Sequence, residues 1–285
     1  MPDRGSPSLR RARLGRDLRR LREASGLIGD EVAARLKWSA AKVSRIENAK
    51  TFPTIKDVED LLKLFGADRV IRQQLLELRR SAAQKGWWDD YRGSLPPTAL
   101  VLLDREAEAD LACNWEPQVL PGLLQTRDYA RALMAAMQPI VQIPPVWIEQ
   151  RVEARGARQD YLLGGPHPLN LVTVFDESVL RRQFGDARVM REQLDHLVEV
   201  SELEHVEMRI LTQDTPPPTP TGPFLYLSFA DFPETVYLEE FFGARFVEDA
   251  EQVFAYKRAF DHLLSISLDE AKSQQLIRTI SERWR

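Results

Sequence analysis

Residues 30–36 and 40–48 form two amphipathic stretches only three residues apart, and this pair constrains the fold more than any other feature of the chain. In the first, Val32, Ala33 and Leu36 share one helical face; in the second only Val43 and Ile46 are strongly apolar. Ser39 offers a side-chain oxygen to cap the second stretch. Helices this short are marginal in water, so both must lay their apolar stripes on neighbours. Those neighbours are legible on either side. Residues 8–25 place Leu14, Leu18 and Leu21 at i, i+4 and i+7, with Gly26 just past the end. Thr54 and Asp57 have capping-box spacing and lead into Val58, Leu61, Leu62 and Phe65, and a further helix runs from about Asp68 to Ala83. The pattern predicts a compact domain of five short helices over residues 1–84.

Charge sets this domain apart. The chain of 285 residues carries a formal net charge of −4, but residues 1–85 hold 20 Lys and Arg against 11 Asp and Glu. The remaining residues hold 19 against 32. A basic module on an acidic body suits binding of a polyanion by the first part alone.

The stretch "KGWWDDYRGSLPP" mixes glycine, proline and aromatic residues, and a linker over residues 85–98 is expected there. Beyond it, over residues 99–285, the pattern alternates. Helices are predicted near 99–113, 127–137, 145–162, 187–204, 248–264 and 268–283, with β-type runs at 169–175, 206–211, 224–229 and 235–239. "TPPPTPTGP", Thr215 to Pro223, reads as a stiff loop between two strands. The expected fold is mainly α: the five-helix domain, then an α+β domain with a small antiparallel sheet.

The outward side of residues 39–51 has the chemistry of a major-groove reader. The groove admits one helix, and bulk on its leading face holds it away from the base edges. Ala40 and Ala41 keep that face low and can touch thymine methyls, with Ser39 and Ser44 as small polar neighbours. Arg45 is the side chain able to grip guanine with two hydrogen bonds. Lys42, Asn48, Lys50 and Thr51 are placed to hold phosphates, as is the backbone at Gly29. Double-stranded DNA is the expected partner.

The run "GLIGDEVAARLKWSAAKVSRIENAKTFPT" resembles the helix-turn-helix of the Xre and phage-repressor family, and the likeness covers residues 9 to about 80. "RIEN", Arg45 to Asn48, matches the pattern that closes the family's recognition helix. The resemblance implies that Glu47 pairs with Arg22 on the first helix. Two residues depart from it: the tight turn has Lys37, and the position after "EN" has Ala49, where glycine is usual. At Lys37 the turn requires positive φ, at a cost on the order of 1 kcal/mol. Residues 116–133, 151–163, 174–197 and 206–211 resemble the C-terminal domain of unknown function of actinobacterial Xre-type regulators, over most of 99–280. That likeness implies an antitoxin-like regulator with a small partner protein encoded nearby.

No catalytic or metal constellation emerges beside these motifs. His167, His196, His205 and His262 lack ligand spacing, the single Cys113 excludes a thiolate cluster, and Asp176 and Glu177 have no third group to complete a site. "LPGLLQT" lacks the glycine spacing of a phosphate loop and reads as a pocket wall or a domain contact. No cofactor and no enzymatic activity are expected. Neither a secretory leader nor a membrane span is legible, which leads to an expectation of a cytoplasmic protein, nucleoid-associated when on DNA. Three readings follow: a transcriptional regulator whose second domain senses a small protein or ligand, an antitoxin-like protein that neutralises a partner and regulates its own promoter, and an enzyme with a DNA-binding appendage. The first two share the recognition helix. A homodimer on a pseudo-palindromic operator is expected, with Leu194, Leu197, Val198 and Leu263 as contributors to its interface.

Overall fold

The computed structural model describes residues 5–165, 167–217, 222–240 and 243–284, and it divides into two compact units with the boundary at Trp87 and Trp88. The first unit holds α1 (Pro7–Ala24), α2 (Gly29–Leu36), α3 (Ala40–Glu47), α4 (Ile55–Leu64) and α5 (Arg69–Ser81). Each start has a physical reason. The hydroxyls of Ser6, Ser39 and Thr54 and the carboxylate of Asp68 accept backbone N–H bonds three residues on, which satisfies donors that the helix itself cannot. At α2 the carboxylate of Glu31 reaches back to the Ile28 N–H, at 3.0 Å. The apolar stripes converge on Leu14, Leu18, Val32, Ala33, Val43, Ile46, Val58, Leu61, Leu62 and Leu75.

Two tight corners in this unit are left-handed without glycine. Lys37 sits at φ 56° between α2 and α3, and Ala49 at φ 54° just past α3. The hydrogen bonds from the Trp38 N–H to the Ala33 carbonyl and from the Lys50 N–H to the Arg45 carbonyl, both 2.8 Å, close these corners.

The second unit runs α6 (Pro97–Glu108), β1 (Leu111–Glu116), α7 (Arg127–Met137), α8 (Pro145–Leu163), β2 (Asn170–Asp176), α9 (Ser178–Arg181), α10 (Ala187–Val200), β3 (Val206–Leu211), β4 (Phe224–Ser228), β5 (Thr235–Glu240), β6 (Gly243–Val247), α11 (Ala250–Ile266) and α12 (Glu270–Ser281). Six strands form one sheet in the order β3-β2-β1-β4-β5-β6. The sheet is mixed, which corrects the expected antiparallel one: β1, β2 and β3 are parallel, and β4, β5 and β6 add antiparallel. The reason is the connections. α7 and α8 between β1 and β2, and α9 and α10 between β2 and β3, carry the chain back to the same end of the sheet, as parallel pairing requires.

The helix expected over 99–113 ends at Glu108, and "LACNWE" is β1 at the centre of the sheet. Its residues 112–115 are buried on both faces, so no two-residue alternation marks it as a strand. β6 is a second strand that the sequence reading did not place. Part of the Thr215–Pro223 loop, residues 218–221, lies outside the described residues. One face of the sheet packs Cys113, Trp115, Val174, Phe224, Tyr226 and Val236 on Val253, Phe260 and Leu263 of α11. Burial pushes the Cys113 thiol up to about 12. Leu194, Leu197, Val198 and Leu263 are all buried within this unit, so they serve its core and not the dimer interface expected of them. No helix among the described residues is long and apolar enough to cross a membrane.

Candidate nucleic-acid interface

Helix α3 presents a narrow exposed stripe because only two of its residues are committed inward. Val43 and Ile46 are 3% and 2% exposed, while Ala40, Ala41, Ser44, Arg45 and the adjoining Asn48 face outward. The Ser39 hydroxyl caps the start by accepting from the Lys42 N–H at 3.2 Å. The Asn48 amide closes the other end by donating to the Ser44 carbonyl at 2.8 Å. Arg45 lies along its own helix, with Nε donating to the Ala41 carbonyl at 3.2 Å, and its guanidinium remains at the surface. A shallow groove of about 540 Å³ runs beside this stripe and is lined by Arg19, Gly29, Ala40, Ala41, Ser44 and Asn48, among others. A Cβ added at Gly29 would meet nothing within 4 Å, so the front of α2 is open where its first N–H groups lack helical acceptors. Lys50 and Thr51 are exposed beyond α3, and both their N–H groups return to the Arg45 carbonyl.

Lys42 is placed differently from the phosphate contact expected of it. Its ammonium is 2.6 Å from Asp57 Oδ1 on α4 and 3.8 Å above the Trp38 ring. It ties α3 to α4. Burial raises the Asp57 carboxyl, but the hydrogen bonds from Lys42 and Thr54 outweigh that and hold it below the usual range.

Arg22 and Glu47 form the second tether. Arg22 Nε and Nη2 donate to the two Glu47 oxygens at 2.6 and 3.0 Å, and Nη1 donates to the Leu27 carbonyl at 2.9 Å. The side chains are 12% and 11% exposed, and the hydrogen bond to Glu47 raises the already high pKa of the arginine. A third attachment was not anticipated: a Cβ at Gly15 would lie 2.7 Å from the Glu47 carbonyl and 2.8 Å from that of Ile46. Glycine therefore lets α1 cross directly over the end of α3. Its only trace in the sequence is an isolated glycine inside a helical pattern.

In the second unit, the acidic pair after β2 is used locally. Asp176 accepts from the Ser178 N–H at 2.9 Å, and Glu177 holds Arg181 one turn on. "LPGLLQT" forms a short 3-10 turn, Gly122–Leu124, pinned by Gln193, which donates to the Leu124 carbonyl and accepts from the Thr126 N–H, both at 2.7 Å. Among the described residues no group of His, Cys, Asp and Glu is arranged to hold a metal ion.

Comparison with known families follows the same division. Residues 13–75 match a helix-turn-helix domain, which points to a DNA-binding regulator. Residues 100–279 match a domain of unknown function (DUF5753). Neither a curated protein nor a solved structure matches the chain. A match over this much of the sequence assigns the chain to the DUF5753 family, with a helix-turn-helix domain at its N-terminal side.

Proposed function

We propose that this chain is a sequence-specific transcriptional regulator of the Xre type, in which α3 reads the major groove and the DUF5753 domain receives the regulating signal from a small protein or ligand. The observation that carries the reading is the α3 stripe: small residues at 40, 41 and 44 beside an exposed Arg45, on a helix fastened from behind. The basic balance of residues 1–85 supports attraction to the duplex. In this reading Arg45 specifies, Lys50, Thr51 and the Gly29 backbone hold phosphates, and the chain acts by binding and not by catalysis. It functions as a homodimer on a pseudo-palindromic site, since one helix covers only a few base pairs and half-sites sit ~34 Å apart.

The acidic balance after residue 85 favours a second reading beside the first. A basic or neutral small protein is drawn to such a surface, and the antitoxin-like role would be to bind it, with DNA binding confined to the chain's own promoter. Binding of the full chain to its own upstream DNA, with and without the product of the neighbouring gene, separates the two.

The direct test of the interface uses duplexes enriched by the full chain from a random pool, and scrambled controls, across a salt series. Arg45→Ala is expected to lose about 1–3 kcal/mol on the enriched duplex and little on the control. Lys50→Ala is expected to weaken both alike and flatten the salt slope by roughly one unit. Equal losses on both duplexes for Arg45→Ala would make that residue a phosphate clamp and remove it from base reading.

A further inference from the structure

The sheet face opposite α11 is largely apolar, with Leu171, Phe175, Leu225 and Leu227 buried there, but it also carries polar side chains. Cys113 and Trp115 point toward α11, so alternation along β1 turns Asn114 and Glu116 the other way. The cross-strand register continues that face from Asn114 through Leu225 to Tyr237, with Glu239 two residues further along β5. Helix α8 supplies Arg151, Arg155 and Arg158, one turn apart and therefore on one side of the helix. The 3-10 turn comes close beside them: a Cβ at Gly122 would lie 3.2 Å from Arg158 Nη1.

Two of these arginines are satisfied. Arg158 grips the fully buried Glu106 at 2.8 and 2.5 Å, and Arg151 Nε donates to the Ser94 carbonyl at 2.7 Å. Arg155 is not. Its Nη1 is buried without a hydrogen-bond partner, and no ion pair joins it among the described residues. Burial and the neighbouring Arg158 lower its pKa to about 10. Gln125 has the complementary defect: its Nε2 donates to the Leu120 carbonyl at 2.7 Å, while its buried Oε1 accepts nothing. The two residues belong to one region, because Gln159, one turn after Arg155, donates to the Gln125 carbonyl at 2.6 Å. Tyr129 lies within electrostatic reach of both Arg155 and Glu116. Burial and the nearby Glu239 raise Glu116 to about 8, and Glu239 itself lies within electrostatic reach of Arg155.

Natural structures rarely leave a buried guanidinium nitrogen and a buried amide oxygen unsatisfied together, because each forfeits its hydration without return. We infer that Arg155, with Gln125, Tyr129 and Glu116, forms a binding site for a small ligand that enters through an anionic carboxylate or phosphate group. The anion pairs with the Arg155 guanidinium, and a donor elsewhere on the ligand meets Gln125 Oε1. The site gives chemical content to the signal-receiving role proposed above, and its regulatory consequence rests on that reading.

The test titrates the full chain with sodium acetate and with sodium phosphate, at ionic strength held constant with sodium chloride. Saturable stabilisation against heat by either anion is expected, and acetate against phosphate distinguishes the two sources of charge. Arg155→Gln should weaken that binding at least tenfold, whereas Arg188→Gln, on an exposed arginine of the same unit, should leave it unchanged. Without anion, Arg155→Gln should melt no lower than the parent, because it removes a buried nitrogen that has no hydrogen-bond partner. The inference fails if neither anion has a saturable effect, if Arg155→Gln responds like the parent, or if that substitution unfolds the unit. Gel shifts on the enriched duplex keep the two ideas apart. Anion binding through Arg155 that leaves DNA affinity unchanged supports the site and overturns its regulatory role.

Discussion

Replacing Glu47 by alanine tests whether the recognition helix is fastened as the geometry indicates. The substitution removes two charge-assisted bonds and leaves Arg22 with the Leu27 carbonyl and a longer ion pair to the exposed Glu23, at 3.6 Å. Breaking a fully buried pair costs about 3–5 kcal/mol, whereas an exposed pair contributes roughly 0–1. At 12% and 11% exposure the pair stands near the buried limit, but Arg22 can regain some water at the rim, so the loss is about 2–3 kcal/mol. Two gains offset it. A carboxylate at the last residue of a helix opposes the dipole by about 0.3–0.5 kcal/mol, and alanine adds a few tenths of helix propensity. A net destabilisation of about 2 kcal/mol remains, equivalent to roughly thirtyfold in the opening equilibrium of α1 and α3. Hydrogen exchange read by mass spectrometry on the full chain should show that acceleration in peptides of these helices and none in peptides of β1 and β2. Glu47→Gln, which keeps a hydrogen-bond acceptor, should fall between. A double-mutant cycle with Arg22→Ala should give a coupling of about 1 kcal/mol or more. If Glu47→Ala exchanges like the parent and the cycle shows no coupling, the pair is a surface contact and the reasoning is refuted.

Other outcomes follow from the same structure. Lys37→Gly should stabilise the first unit by about 0.5–1 kcal/mol in denaturant unfolding, because the residue already holds a left-handed conformation; a loss of stability would show that the lysine side chain contributes more than its backbone costs. Gly15→Ala should destabilise in the same assay: its Cβ would meet two backbone carbonyls at 2.7 and 2.8 Å, and overpacking of about 1–3 kcal/mol exceeds the ~1 kcal/mol gained in helix propensity. In the second unit, Glu116 is raised from 4.5 to about 8 by burial and by Glu239, against the pull of Asn114 and Arg158. The folded state therefore holds a proton that the unfolded chain releases, and this stability is lost progressively as pH rises from about 4.5 to about 8. Melting temperatures across that window should fall in the parent and fall less in Glu116→Gln; equal slopes would remove Glu116 as the cause.

Local and tertiary information divide what the sequence shows. The five helices of the first unit were readable because each carries a 3.6-residue stripe and most carry an N-cap side chain, as Thr54 is for α4. The inward pair Val43 and Ile46 defined the outward stripe by subtraction. β1 was not readable, since a strand buried on both faces continues the apolar run of α6 without alternation, and no turn residue beyond Ala109 and Asp110 separates them. The mixed sheet was hidden for a related reason. Strand direction depends on where the intervening helices deliver the chain, which the strands' own residues do not encode. Lys42 looked like a free charge because its partners, Trp38 and Asp57, meet it only when α4 packs on α3. Arg22 and Glu47, 25 residues apart, were paired through family resemblance and not through any local pattern.

These attachments explain how so short a helix holds its shape in the reading role proposed for it. Eight residues do not hold a helix in water, so α3 takes its stability from contacts made behind it. Lys42 fastens its first turn to α4, Glu47 fastens its last turn to α1, and Gly15 allows α1 to touch its final carbonyls. Val43 and Ile46 fill the space between. At 100° per residue, what remains is one stripe through 40, 41, 44, 45 and 48. The charged residues that hold the helix are thereby withdrawn from the face proposed to read DNA, which leaves Arg45 as the cation on that stripe. A stripe ordered before contact loses little further entropy on binding, so the contacts it makes are available to discriminate between sequences. Loosening the rear tethers should then cost specificity even though none of those residues touches the face proposed to meet DNA.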